Sequence, residues 1–222
     1  MSFRYYLYIS DSKVDMLLQQ IDPALTRRRN TEIKVDLKIF GASRGAELPG
    51  ADRVARLERV VRCLQDHGDL GSVDEPGQFF WGLLPLRWGP VKGDLALIYF
   101  GGCSERTWVG LGGSRAHVVG AVPGTESGPA LTGSHMPSML AGLAGPRGIR
   151  TLLDDADPGY EQAEVAALST VRQATARLRG PAQNLEFVAK RLLYGPSPDP
   201  EQDPHPNMSV LLGSPLYVAL AD

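Results

Sequence analysis

A chain of 222 residues that is 43% hydrophobic and 22% charged has the mix of a globular protein able to bury a sizeable core, which excludes overall disorder. A formal net charge of −2 and a pI near 6.1 give no electrostatic reason to expect nucleic acid as a partner, and the only dense basic run, Arg27-Arg28-Arg29, reads as a solvated loop. No apolar run is long enough to span a bilayer, and the first residues lack a signal-type apolar stretch, so no membrane association is expected.

In chain order, Phe3 to Ile9 is aromatic and β-branched and predicts a strand. Ser10 and Asp11 offer capping oxygens for a helix that places Val14, Leu17, Leu18 and Ile21 on one face and stops at Pro23. Residues 33–40 alternate strictly between apolar and polar, the signature of a half-buried strand. A loop from Gly41 to Gly50 leads to a helix over Ala51 to His67, with Val54, Leu57, Val61 and Leu64 spaced three or four apart. Gly71 to Gly77 predicts a turn. Gln78 to Val91 is apolar and strand-like, with Pro85 marking an edge or a bulge. Asp94 to Phe100 and Thr107 to Leu111 are further strands, so the middle of the chain reads as an antiparallel meander.

Residues 123–148 form a long Gly/Pro-rich loop containing the apolar piece Met136 to Leu143. Two helices are expected next, Tyr160 to Arg179 and Ala182 to Leu193; the second carries Leu185, Val188, Ala189 and Leu192 at helical spacing. Residues 195–206 are a proline-rich acidic loop. The apolar segment from Met208 to Ala221, broken at Gly213-Ser-Pro215, belongs inside the sheet beside the first strand. The fold class expected is α+β, a mostly antiparallel sheet with helices packed on one face, in a single domain over 1–222.

The densest concentration of polar chemistry is the run Val109 to Gly120. Gly112 and Gly113 leave backbone N–H groups unobstructed, and a glycine nest can hold an anion. Ser114 and Arg115 add a hydroxyl and a bidentate cation suited to phosphate or carboxylate, and His117 completes a ligand-binding set of Gly112, Gly113, Ser114, Arg115 and His117. No Gly-Lys-Ser/Thr follows, which excludes a phosphate-loop NTPase pattern. The alternative is a glycine-rich bulge or hairpin between strands. Ser114 and His117, three apart, would point to opposite faces of an extended segment, which argues against a nucleophile–base pair.

Asp11, Lys13 and Asp15 follow the first strand and could face a cleft at its carboxyl end, but a helix cap with a charged first turn explains them at less cost. The acidic cluster Asp154, Asp155, Asp157, Glu161 and Glu164 is accounted for by a helix N-terminus. His67, His117, His135 and His205 show no metal spacing, Cys63 and Cys103 form no metal motif or disulfide framework, and neither a metal nor a cofactor is expected.

Three stretches, Tyr6-Leu-Tyr-Ile-Ser-Asp-Ser-Lys-Val-Asp-Met16, Val109 to Gly120, and Gly213-Ser-Pro-Leu-Tyr-Val-Ala-Leu-Ala221, resemble an uncharacterised family of actinobacterial, Streptomyces-type proteins of about this length. The resemblance runs nearly end to end, implies one domain, and brings no activity or catalytic residue with it. The function expected is a cytoplasmic bacterial small-ligand-binding sensor or regulatory module. A small metal-independent enzyme using His117 or Asp11 as acid or base is the alternative. A structural subunit docking a protein partner is a third possibility.

Overall fold

The computed structural model describes residues 4–21, 49–67, 70–91, 94–120, 136, 139–144 and 159–221. The strand expected over 33–40, the acidic residues 154–157 and most of the loop 123–148 lie outside them.

β1 (Tyr5–Ile9) runs straight into α1 (Asp11–Ile21), whose first turn closes with the Val14 N–H on the Ser10 carbonyl at 3.0 Å. α2 (Pro49–Asp66) buries Leu57, Val60 and Leu64, the three-and-four spacing that the sequence shows. Then come β2 (Leu70–Ser72), β3 (Phe79–Val91), β4 (Asp94–Cys103) and β5 (Thr107–Ser114). A short 3-10 turn over Arg115–His117 ends this half. α3 (Gly159–Arg177) precedes β6 (Gln183–Pro196) and β7 (Ser209–Leu220).

The sheet closes on itself. β3 pairs with β4, β4 with β5, β5 with β7, β7 with β6, and β6 with β3; the β5–β7 contact is parallel and the other four are antiparallel. β1 extends the sheet from β7 antiparallel, and β2 joins β3 in parallel. Counting the barrel strands along the chain, the third and fifth are the parallel pair and α3 lies between the third and fourth, which is the Greek-key connectivity of an OB-type barrel. The expectation of α+β with mainly antiparallel pairing holds at that level. The sheet is nevertheless mixed, and five of its strands close into a barrel, which the sequence did not indicate.

Alternation sorts the side chains. Phe80, Leu86, Ile98, Phe100, Val109, Leu111, Leu185, Phe187 and Leu211 fill the barrel, with the Phe80 and Phe187 rings edge-to-face at 6.0 Å. Burying each such side chain contributes about 1.5–3 kcal/mol. Outside, α1 and α2 lay Val14, Leu18, Leu57 and Val60 on Ile9, Leu216 and Tyr217, while α3 lays Leu168 and Val171 on Tyr99, Val210 and Leu212.

Residues 182–193 are a correction: they form most of β6, not a helix. Leu185, Phe187 and Ala189 face the barrel interior while Val188 is buried with the outer cluster on the opposite face. A strand buried on both sides loses its period-two signal, and its apolar residues then satisfy a helical stripe equally well. Pro215 is another: it does not break the last strand but sits in β7 where the register against β6 slips between Val188 and Ala189, a position that tolerates a missing N–H. Pro85 also lies within a continuous strand, opposite Asn184 of β6 and between the parts of β3 that pair with β2 and β4.

Candidate functional site

β5 follows β7 only as far as Leu111, opposite Gly213; Gly112 to Ser114 stay paired with β4 while β7 turns to β1, where Ile9 faces Tyr217. The diverging strands leave a seam. It is filled by the end of β1, the first turn of α1 and the 3-10 turn after β5, held back by the Val119 N–H on the Leu7 carbonyl at 2.9 Å.

Gly112 and Gly113 are buried in extended β5, opposite Tyr99 and Ile98. Among the described residues positive φ occurs only at Gly120, Gly180 and Asn207, so the two glycines do not form the alternating turn of an anion nest. Their lack of a side chain makes room: a Cβ on Gly112 would run into Met139, and one on Gly113 into the Tyr8 phenol. Ser114 ends the strand, and its hydroxyl accepts from the Ala116 N–H at 3.3 Å. Arg115 is exposed on the turn, and His117 is half-buried in the seam.

Tyr8 is the hub. Its ring is wholly buried, edge-to-face with Phe100 and with His117. Its oxygen lies 3.4 Å from His117 Nδ1, long for a hydrogen bond, and the Ser10 side chain and the Ser114 backbone are near enough to act on its acidity. Ser10 Oγ in turn accepts from Lys13 Nζ at 3.2 Å, and the same ammonium donates to the Pro215 carbonyl at 3.3 Å. A polar chain His117–Tyr8–Ser10–Lys13 therefore runs from the half-exposed turn into the core. Of the residues expected at a site, Ser114 and His117 join it; Gly113 makes room for Tyr8, Gly112 instead makes room for Met139 in the cluster under α3, and Arg115 is exposed.

The electrostatics are unusual at one point. Lys13 is 5% exposed, and none of the ion pairs among the described residues includes it. Burial alone brings its amine down to about 8. Asp11, two residues before it, is held by Arg53 Nε at 2.8 Å, and Arg53 also caps the Ile9 carbonyl at 2.7 Å. Burial, helped by the Lys13 charge, lowers the His117 pKa, so the imidazole is neutral at pH 7. Burial keeps the Tyr8 phenol protonated well above its ordinary range.

Residues 4–222 match the model of a family of unknown function, DUF7019. The chain belongs to that family. No curated protein and no solved structure matches it. The site of this DUF7019 member must therefore be argued from its own geometry.

Two other places on the barrel carry less. OB-type barrels commonly bind ligands on the face of their second and third strands. Here that face, on β4 and β5, lies under α3, where Tyr99 shares a 2.9 Å hydrogen bond with Thr175 and Val171 packs at Gly110. A shallow open groove of about 520 Å³ lies between α3 and residues 198–199, lined by Gln162, Val165, Ala166, Ser169, Pro198 and Asp199; its one charge is already paired with Arg172 at 3.6 Å. Among the described residues no group of three or more His, Cys, Asp or Glu is placed to hold a metal, and no helix is long and apolar enough to cross a membrane.

Tyr8 and Arg53 carry no mark in the sequence reading, which assigns Ser10 and Lys13 to the cap and charged first turn of a helix. One signal was present: Lys13 lies four residues before Leu17 and adjoins Val14, so it flanks the buried stripe of α1.

Proposed function

We propose that this DUF7019 chain is a small-ligand-binding module of sensor or regulatory type, taking a polar or anionic ligand at the seam between α1 and the end of β5. Lys13 supplies the charged contact, and Ser12, Arg115 and His117 stand at the mouth. One observation carries this reading: a buried ammonium whose acceptors are both neutral oxygens, Ser10 Oγ and the Pro215 carbonyl. An ammonium removed from water without a counter-charge costs several kcal/mol, and a bound anion accepting the third N–H offsets that cost. The composition, rich in Arg, Ala, Gly and Pro and poor in Lys, supports a bacterial source, and free Cys63 and Cys103 support a reducing cytoplasm.

The test is thermal unfolding of the wild type and of Lys13→Met and Arg115→Ala against a panel of small anions and polar metabolites. A ligand at one hundred times its Kd adds about 2.7 kcal/mol of stability. The reading expects at least one such shift, abolished in Lys13→Met and weakened in Arg115→Ala. A wild type that no compound stabilises overturns it.

A second reading, a small metal-independent enzyme, has one observation in its favour. The chain from the His117 imidazole through Tyr8 and Ser10 to Lys13 is the kind of connected acid–base set that can move a proton. Asp11, the other acid–base candidate, is tied to Arg53. This reading expects turnover of a bound ligand that His117→Gln abolishes while binding persists.

A further inference from the structure

The charge inventory of the seam goes further than the presence of a site. Arg53 is neutralised by Asp11 at 2.8 Å, and Arg56 by Asp15 and, at 3.4 Å, by Asp52. His117 is neutral at pH 7, and Arg115 sits in solvent. Unlike Arg53 and Arg56, Lys13 touches no carboxylate among the described residues, and two of its three N–H bonds are already committed to neutral oxygens. Around it lie hydroxyls, Ser10 and Tyr8 buried and Ser12 exposed, and the apolar side chains of Ile9, Val14 and Leu216. The Asp11 carboxylate, 42% exposed, is paired with Arg53, yet its negative charge still acts on His117 in the seam.

We infer that the seam selects singly charged carboxylates over doubly charged oxyanions such as sulfate or a phosphate dianion. This rests on the reading proposed above. One carboxylate balances one ammonium, and its two oxygens match the donors on offer: the remaining Lys13 N–H and a seryl hydroxyl. A dianion leaves a full negative charge among Ile9, Val14 and Leu216, where no second cation answers it, and adds repulsion from Asp11. The same inventory names the selectivity lever. Replacing Asp11 by Asn removes that repulsion and releases the Arg53 guanidinium, raising the local charge by one without touching Lys13.

The experiment is calorimetric titration and thermal unfolding with acetate, pyruvate and sulfate at matched ionic strength, chloride serving as the salt control, on wild type, Asp11→Asn, Lys13→Met and Lys13→Arg. Wild type is expected to bind acetate or pyruvate at least tenfold more tightly than sulfate. Asp11→Asn is expected to narrow or reverse that ratio, and Lys13→Met to lose all binding. Sulfate binding as tightly as the carboxylates in wild type, with both lost in Lys13→Met, overturns the selectivity and leaves the seam as a general anion site. An Asp11→Asn protein with an unchanged ratio overturns the role given to Asp11. If no anion binds wild type beyond the chloride control, the selectivity and the seam reading fall together. Should Lys13→Met fail to fold, Lys13→Arg keeps the charge but misplaces it and is expected to weaken acetate binding at least tenfold.

Discussion

Two cations are buried to almost the same degree in this protein, Arg172 at 4% exposure and Lys13 at 5%, and their surroundings are opposite. Arg172 on α3 donates from Nε to Asp203 at 2.7 Å, reaches Asp199 at 3.6 Å, and lies over the Trp108 ring with 5.7 Å to its centroid. Trp108 itself donates to the same Asp203 oxygen at 2.8 Å. Burial by itself pushes the Asp203 carboxyl up, but hydrogen bonds from its neighbours, Arg172 and Trp108 among them, outweigh burial and hold it below the usual carboxylate range. That cluster supplies its own counter-charge and pins the loop before β7 to α3 and β5. Lys13 has hydroxyl and carbonyl oxygens only. A buried cation with its counter-ion built in has a structural task that is complete; Lys13 has no such counter-ion among the described residues, and the proposed ligand site rests on that contrast.

The largest way to break this contrast is Asp203→Asn, which strands the Arg172 charge. A loss of about 3–5 kcal/mol is expected in urea unfolding, the range for removing one partner of a buried pair. A loss under 1 kcal/mol would mean that Arg172 is not sealed, and the two sites would no longer differ in kind. Gly113→Ala attacks the seam from the other wall by driving a methyl group into the Tyr8 phenol. It should cost about 1–3 kcal/mol, and adding Tyr8→Phe, which removes the crowded oxygen, should recover part of it.

Lys13→Met should cost less at pH 7, about 1–2 kcal/mol, because relief of the stranded charge offsets the two hydrogen bonds lost. Its pH dependence is the sharper readout. With the folded amine near 8 and the ordinary lysine value at 10.5, the unfolded chain holds more protons between those limits, so wild-type stability rises with pH across that window. Relative to Lys13→Met, wild type should gain about 3 kcal/mol from pH 7.5 to 10.5; a flat difference would show that the ammonium is compensated. The smallest effect is Arg115→Ala, expected within about 0.5 kcal/mol of wild type since its side chain is exposed.

Much of the local structure was legible because its periodicity was one-sided. α1 and α2 bury one stripe each, and β1 meets β7 as the apolar C-terminal segment suggested. β6 was misread because both its faces are covered. Barrel closure was not legible at all, since the parallel contact of Thr107–Leu111 with Ser209–Gly213 joins segments with no local signal of partnership. In the run Val109 to Gly120 the sequence predicts a ligand-binding loop, and the structure has a strand end and a 3-10 turn there. Its glycines mark close approaches of Tyr99, Met139 and Tyr8, whereas the charge that gives the seam its character sits on Lys13. Tyr8 and His117 are 109 residues apart, and only the folded register brings them together.

β7 has one consequence for how the molecule comes into being. It is the last barrel strand along the chain, and it alone bonds to β1, β5 and β6. During synthesis, every earlier strand emerges before the piece that joins them, leaving the outer edges of β5 and β6 bare until residues 209–220 arrive. Such distant pairings make assembly slow and expose the nascent edges to wrong partners. Ser10 and the Lys13 amine acquire the backbone groups they bind, on Leu216 and Pro215, only at that same late step. The seam is therefore assembled last, in the same event that closes the barrel.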